Sequence, residues 1–172
     1  MSDTLVNKIA ASGLITIKPE EWAPTVHPDL FDLKDYLFME QILKEKDFRA
    51  AVKAHDWSAY DQKVLCVFCS TEAIIPNWAF MLVTSMASPF AKTVFFGSPD
   101  QWIHQQILTH IEQLDVAPYI DQRVIIKGCS DRVAIGPDIY MALTGRLLPV
   151  VQSLMFGEPC STVPVYKRPK SV

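Results

Sequence analysis

Asp61-Gln62-Lys63-Val64-Leu65-Cys66-Val67-Phe68-Cys69-Ser70 decides how this chain is read. It returns sixty residues later as Asp121-Gln122-Arg123-Val124-Ile125-Ile126-Lys127-Gly128-Cys129-Ser130. The centre of each copy is apolar and rich in β-branched residues, the pattern of a strand buried on both faces. The strands are expected over Lys63 to Phe68 and Arg123 to Lys127. The correspondence runs on without a gap. Met81 falls on Met141, Thr84 on Thr144, Pro89 on Pro149, Phe96-Gly97 on Phe156-Gly157 and Pro99 on Pro159. Fixed-period similarity speaks of architecture, and two copies are too few for a solenoid. The expectation is a duplication: two tandem repeats of about sixty residues, 61–99 and 121–159, inside a single α/β domain covering 1–172.

The rest of the chain is placed from this repeat outward. Each predicted strand is followed by Cys-Ser, a short connector and a proline, Pro76 or Pro137, and proline suits the first turn of a helix. Helices are expected over about 77–88 and 138–148, with Pro89 and Pro149 stopping them. Thr93 to Phe96 and Val150 to Phe156 read as the next strands. Pro99 to Leu114 reads as a helix opened by Ser98-Pro99-Asp100. Upstream, Leu14 to Ile17 and Leu30 to Leu33 read as strands. Asp35 to His55 reads as one amphipathic helix with Tyr36, Leu37, Met39, Ile42, Leu43 and Val52 on its apolar side. Alternating helices and apolar strands predict a mostly parallel sheet with helices on both faces. Four central strands are expected in one sheet, the N-terminal strands at an edge, and a flexible tail over about 166–172.

Composition narrows the function. Hydrophobic residues make up 49% and charged residues 20% of the 172, which is globular usage. A net charge of -3 and a pI near 5.8 argue against a nucleic-acid partner, which wants a basic face. The basic cluster Lys167, Arg168 and Lys170 reads as a solvated end. No secretory signal opens the chain, so the expected location is cytoplasmic. Ala73 to Ala91 carries no charge. Pro76 and Pro89 bracket it, though, and leave a helix of about twelve residues, roughly 18 Å long. A bilayer core needs about 30 Å, so no membrane partner is expected. Nucleotide binding and serine hydrolysis lack support. There is no G-x-G-x-x-G, no Walker loop, no G-x-S-x-G and no H-E-x-x-H.

Four cysteines remain, at 66, 69, 129 and 160. Without a secretion signal they read as core residues, metal ligands or reactive thiols, not as disulfides. Cys69 and Cys129 fall just past predicted strands. Cys160 follows the last one, and ligands of open parallel sheets collect at the carboxyl ends of strands. Each of the three precedes a serine, whose hydroxyl or backbone N–H could donate to a thiolate. Three soft thiolates could hold iron, zinc or an iron–sulfur cluster, with His104, His110, Asp131, Glu158 or water as fourth ligand. The plainer alternative is that they are small core residues. Cys66 and Cys69 form a Cys-x-x-Cys on a strand. Residues three apart on a strand face opposite sides, so Cys66 reads as core. His55-Asp56 could serve acid–base chemistry, but a histidine at a helix C-terminus also simply meets the dipole. Lys44 to Arg49 reads as a solvated helix face with intrahelical ion pairs.

Several of these stretches together resemble a known family. They are Ile42 to Arg49, His55-Asp56-Trp57, Cys69-Ser70 with Ala73-Ile74-Ile75-Pro76, Lys127-Gly128-Cys129-Ser130-Asp131, and Gly157-Glu158-Pro159-Cys160-Ser161-Thr162-Val163-Pro164. The chain resembles, over nearly its whole length, an uncharacterised bacterial family known as domain of unknown function 2480. The family pattern coincides with Cys69, Cys129 and Cys160 and leaves out Cys66. Its members often lie beside genes of SUF-type iron–sulfur cluster assembly. The resemblance therefore implies a cluster- or sulfur-related role and assembly proteins as partners.

The resulting expectation is a metal- or sulfur-handling accessory factor with Cys69, Cys129 and Cys160 as thiolate ligands. One alternative is a sulfurtransferase carrying persulfide on one exposed cysteine, most readily Cys160. The other is an interaction module with structural cysteines. Homo-oligomerisation stays open, as does whether any reaction is catalysed.

Overall fold

The computed structural model describes residues 14–128, 133–158 and 161–169. Cys129, Asp131, Cys160 and Lys170 lie outside the described residues. In chain order the elements are β1 (Leu14–Ile17), β2 (Asp29–Asp32), α1 (Glu45–Ala54), β3 (Val64–Phe68), α2 (Asn77–Ala87), β4 (Thr93–Phe96), α3 (Pro99–Glu112), β5 (Arg123–Ile126), α4 (Pro137–Leu147), β6 (Ser153–Glu158) and β7 (Ser161–Lys167). The architecture is mixed α/β with mostly parallel strands, as the alternation of patterns predicts. It differs from expectation in having two sheets. β2-β3-β4 form one and β1-β5-β6-β7 the other, and among the described strands only the β6–β7 pairing is antiparallel. Periodicity marks strands but not their partners. β3 takes β2 as its neighbour and β5 takes β1, so the four strands of the repeat never share a sheet.

The chain divides accordingly into two compact units. Pro24–Ile103 forms a continuous unit. Met1–Ala23 and His104–Val172 form a split unit, into which the continuous one is inserted in sequence. In the continuous unit both faces of the sheet are covered. Leu65 and Val67 pack with Phe48 and Val52 of α1 and with Ala79, Val83 and Ala87 of α2. Val64 and Cys66, on the other face, pack with Trp102 of α3. In the split unit the fully buried residues include Val124 and Ile125 of β5, Ile139, Leu143 and Leu147 of α4, Val151, Leu154 of β6, and Ile107 and Ile111 in α3. Burial of such side chains contributes about 1.5–3 kcal/mol each, before the entropy of ordering them.

The continuous unit runs strand, 3₁₀ turn, helix, 3₁₀ turn, strand, helix, strand, and the split unit follows the same order, with the part of α3 from His104 as its first helix and β7 added at the end. Their hydrogen bonds match. The Gln62 amide donates to the Phe90 carbonyl and the Asp121 amide to the Val150 carbonyl, at 3.1 and 2.8 Å, and both residues have positive φ. The matching is not a uniform sixty. Val67 pairs with Phe96 and Ile126 with Phe156. Through the first strand, therefore, the displacement is 59, and only from the helix onward is it 60. The connector absorbs one residue. The common stretch also begins earlier than residue 61, at β2 and β1, and it is nested in sequence where the identities suggest a tandem order. The duplication rests on the sequence identities.

Two further expectations change. The helix expected over Asp35 to His55 is only α1, Glu45–Ala54. Before it, Leu33–Tyr36 is a 3₁₀ turn, and Phe38 bridges Ile42 across a tight turn with Met39 and Glu40 at φ 51° and 58°. A positive φ is incompatible with helix, whatever the spacing of apolar residues. At the other end, β7 runs to Lys167, so the tail expected from 166 begins inside a strand. Arg168 pairs with Asp121 and donates to the Val150 carbonyl. β6 starts at Ser153, three residues later than expected.

Candidate functional site

Cys66 and Cys69 have opposite surroundings although three residues separate them. Cys66 is fully buried, and burial pushes its thiol up to about 11. Its place in the core is the one its strand position predicts. Cys69 follows the last residue of β3, at the carboxyl end of a parallel strand, and is only half-buried. It walls a cavity of about 490 Å³ together with Thr71, Asn77, Phe80, Phe96 and Ser98. The first residue of α2 and the residue before α3 thus border the same space. Ser98 and Gln101 cap α3 reciprocally: the Ser98 amide donates to Gln101 Oε1, and the Gln101 amide to Ser98 Oγ.

The Cys69 sulfur lies 3.2 Å from Thr71 Oγ1. Expectation had the following serine as its partner. Ser70 instead donates its backbone N–H to Asp32 Oδ1 at 3.0 Å, and the Lys34 amide donates to the same oxygen at 3.0 Å. Burial pushes the Asp32 carboxyl up. The hydrogen bonds from the Ser70 side chain and the two amides, with the nearby Lys34 charge, outweigh that and hold it below the usual aspartate range. Asp32 ends β2 and pairs in register with Phe68. Sequence reading missed it because its importance depends on which strand lies beside β3.

The other candidate ligands are engaged elsewhere. His104 Nε2 lies 2.8 Å from Asp138. His110 stacks on Trp22 with ring centroids 4.7 Å apart. Glu158 pairs with Lys127 at 3.3 Å. Among the described residues no three His, Cys, Asp or Glu side chains group so that they could hold a metal ion. Cys69 belongs to the continuous unit. Cys129 and Cys160, the other two expected thiolates, lie outside the described residues, as does Asp131.

His55 and Asp56 do not form a dyad. The Asp56 carboxylate accepts from the Ser58 amide at 3.1 Å and caps the 3₁₀ turn Trp57–Tyr60. His55 instead has a tyrosine hydroxyl at each ring nitrogen, Tyr36 at 3.1 Å and Tyr60 at 3.2 Å. Phe31 and Trp57 pack edge-on against the imidazole. Burial pushes both tyrosines above their ordinary range. This ring cluster joins α1 to its neighbouring turns, and both ring nitrogens of His55 meet tyrosine hydroxyls. In the Lys44 to Arg49 run, Arg49 and Glu45 form the expected i,i+4 pair at 2.9 Å, worth about 0.3–0.5 kcal/mol.

The family model for proteins of unknown function, DUF2480, matches residues 3–168. The chain belongs to this family. No curated protein and no solved structure matches it. Among the described residues of this DUF2480 chain, no helix is long and apolar enough to cross a membrane. The uncharged stretch Ala73 to Ala91 supplies α2, which has 11 residues.

Proposed function

We propose that this DUF2480 protein is a cytoplasmic accessory factor that handles a thiophilic metal, or sulfur itself, through thiolates, with Cys69 as the thiol that meets solvent in the continuous unit. One observation carries the reading. Of two cysteines three residues apart, Cys66 within β3 is sealed in the core, whereas Cys69, just past the end of β3, walls a cavity at the carboxyl edge of a parallel sheet. Sheet edges of this kind are where ligands collect in α/β proteins. The Thr71 hydroxyl lies beside the sulfur, where it can make a hydrogen bond to it. Cys129 and Cys160 are the further thiolates proposed, since thiolate sulfur suits iron, zinc or an iron–sulfur cluster. Proteins of iron–sulfur assembly are the proposed partners.

The test is metal and sulfane-sulfur analysis of the full chain purified without oxygen, alongside Cys69→Ser, Cys129→Ser and Cys160→Ser. Bound iron, zinc or sulfur that falls by more than half in Cys69→Ser supports the reading. Wild-type protein free of all three overturns it. So does content that survives each substitution.

A further inference from the structure

We infer that Asp32 is the positioning residue of the Cys69 thiol. Cys69 sits between two fixed points, and Asp32 supplies both. On one side, Phe68 is paired with Asp32 in the β2–β3 ladder. On the other, the Ser70 amide donates to Asp32 Oδ1 at 3.0 Å. One residue on β2 therefore clamps the backbone before and after the cysteine. The carboxylate is itself held, because the Lys34 amide donates to the same oxygen at 3.0 Å as Asp32 caps the 3₁₀ turn Leu33–Tyr36. Hydrogen bonds to an ionised acceptor are roughly twice as strong as neutral ones. The carboxyl stays ionised at neutral pH, since its donors hold it below the ordinary range. With the turn fixed, the sulfur is kept beside the Thr71 hydroxyl and along the wall of the cavity. Released, the turn would let the thiol swing towards solvent.

The inference rests on Cys69 being the working thiol, but its test does not. Full-length wild type, Asp32→Ala and Asp32→Asn are alkylated with iodoacetamide in metal-free buffer without oxygen, and the rate at Cys69 is read by peptide mass spectrometry. Asp32→Ala is expected to raise that rate roughly three-fold or more, the scale of losing part of a charge-assisted hydrogen bond. Asp32→Asn keeps an oxygen able to accept both amides and is expected to stay within about two-fold of wild type. A wild-type rate in Asp32→Ala overturns the inference. An equal rise in both variants also overturns it, because charge and not placement would then be responsible. If Asp32→Ala fails to fold, the wild type decides by NMR. The amide protons of Ser70 and Lys34 should move together in one acid titration, and a Ser70 amide indifferent to it overturns the inference. Metal or sulfur content unchanged in Cys69→Ser would remove the functional reading and leave the alkylation result standing.

Discussion

In the split unit Gly128 lies beneath the aromatic ring of Phe156, so close that a Cβ on Gly128 would run into the ring. In the continuous unit the strand register puts Cys69 at the matching point and Phe96 in the place of Phe156. Both phenylalanines keep an edge-on aromatic partner from the helix, Tyr140 for Phe156 and Phe80 for Phe96, at 5.3 and 5.1 Å. Their exposures differ: Phe156 is 38% exposed and Phe96 71%. A residue with a side chain at position 69 excludes the ring from the strand end, and the space becomes the cavity that Cys69 walls. One topology thus yields a filled strand end where the residue is glycine and an open one where it is cysteine. The comparison teaches that Cys69 creates its own opening as well as lining it.

The largest effects expected from breaking this comparison lie in the two cores. In α4 the buried positions are Ile139, Leu143 and Leu147; in α2 the matching ones are Ala79, Val83 and Ala87. The continuous unit makes up the volume with Phe48 from α1, which is fully buried. Phe48→Ala is expected to cost about 3–5 kcal/mol and Leu143→Ala about 2–5 kcal/mol in urea denaturation. If the small face of α2 is compensated from α1, Phe48→Ala will also speed hydrogen exchange in α2. Exchange in α2 unchanged by Phe48→Ala would break that account.

Next comes the contrast between the two described cysteines. Cys66 is buried with its thiol near 11, and Cys69 borders the cavity. Alkylation of the folded wild type at pH 8 should favour Cys69 over Cys66 by about ten-fold or more, since Cys66 is sealed from the reagent and burial holds its proton on. Comparable rates at the two would show that the strand end opens readily and would undo the distinction between them.

A smaller effect is expected at Gly128. Gly128→Ala forces the Phe156 ring away from the strand end, at an overpacking cost of about 1–3 kcal/mol. The ring should then take the more exposed disposition of Phe96, read as easier quenching in a Phe156→Trp background. A Gly128→Ala protein as stable as wild type, with the ring still covered, would mean that something other than the side chain at this point keeps Phe96 out.

What the sequence makes legible follows from what kind of pattern each feature leaves. The strands over 64–68 and 123–126 and the helices over 77–87 and 137–147 announce themselves by local apolar runs and by prolines at their starts and ends. Cys66 as core follows from strand alternation alone. The 59-residue displacement does not, because identities around Cys69-Ser70 and Cys129-Ser130 align best at sixty while the hydrogen bonds follow the ladder. Partner strands are likewise invisible to periodicity, so the two sheets and the role of Asp32 are missed together. The Met39-Glu40 turn hides because neither residue favours positive φ. β7 could have been found. Val163 and Val165 alternate with Thr162 and Tyr166, but Pro164 interrupts the run, and its last two residues fall in the basic stretch expected as tail.

The smallest expected effect tests the difference in sign at the two strand ends. The residue that follows Phe31 in β2 is Asp32, and the one that follows Ile17 at the end of β1 is Lys18, a cation paired with Glu21. Asp32 is held below the ordinary aspartate range when folded. The folded protein therefore binds fewer protons there than the unfolded chain. The stability this contributes is complete above the unfolded value of about 3.9, and it drains away as pH falls through the folded value. Asp32→Asn should remove that part of the acid dependence, so that its stability falls less steeply than wild type below about pH 4. Asp56, also lowered through its bonds to Ser58, stays and keeps some slope. Urea midpoints between pH 2.5 and 5 read the difference. Parallel curves for the two proteins would mean that Asp32 gains nothing from its amide donors on folding, and the clamp on Cys69 would be without energetic support.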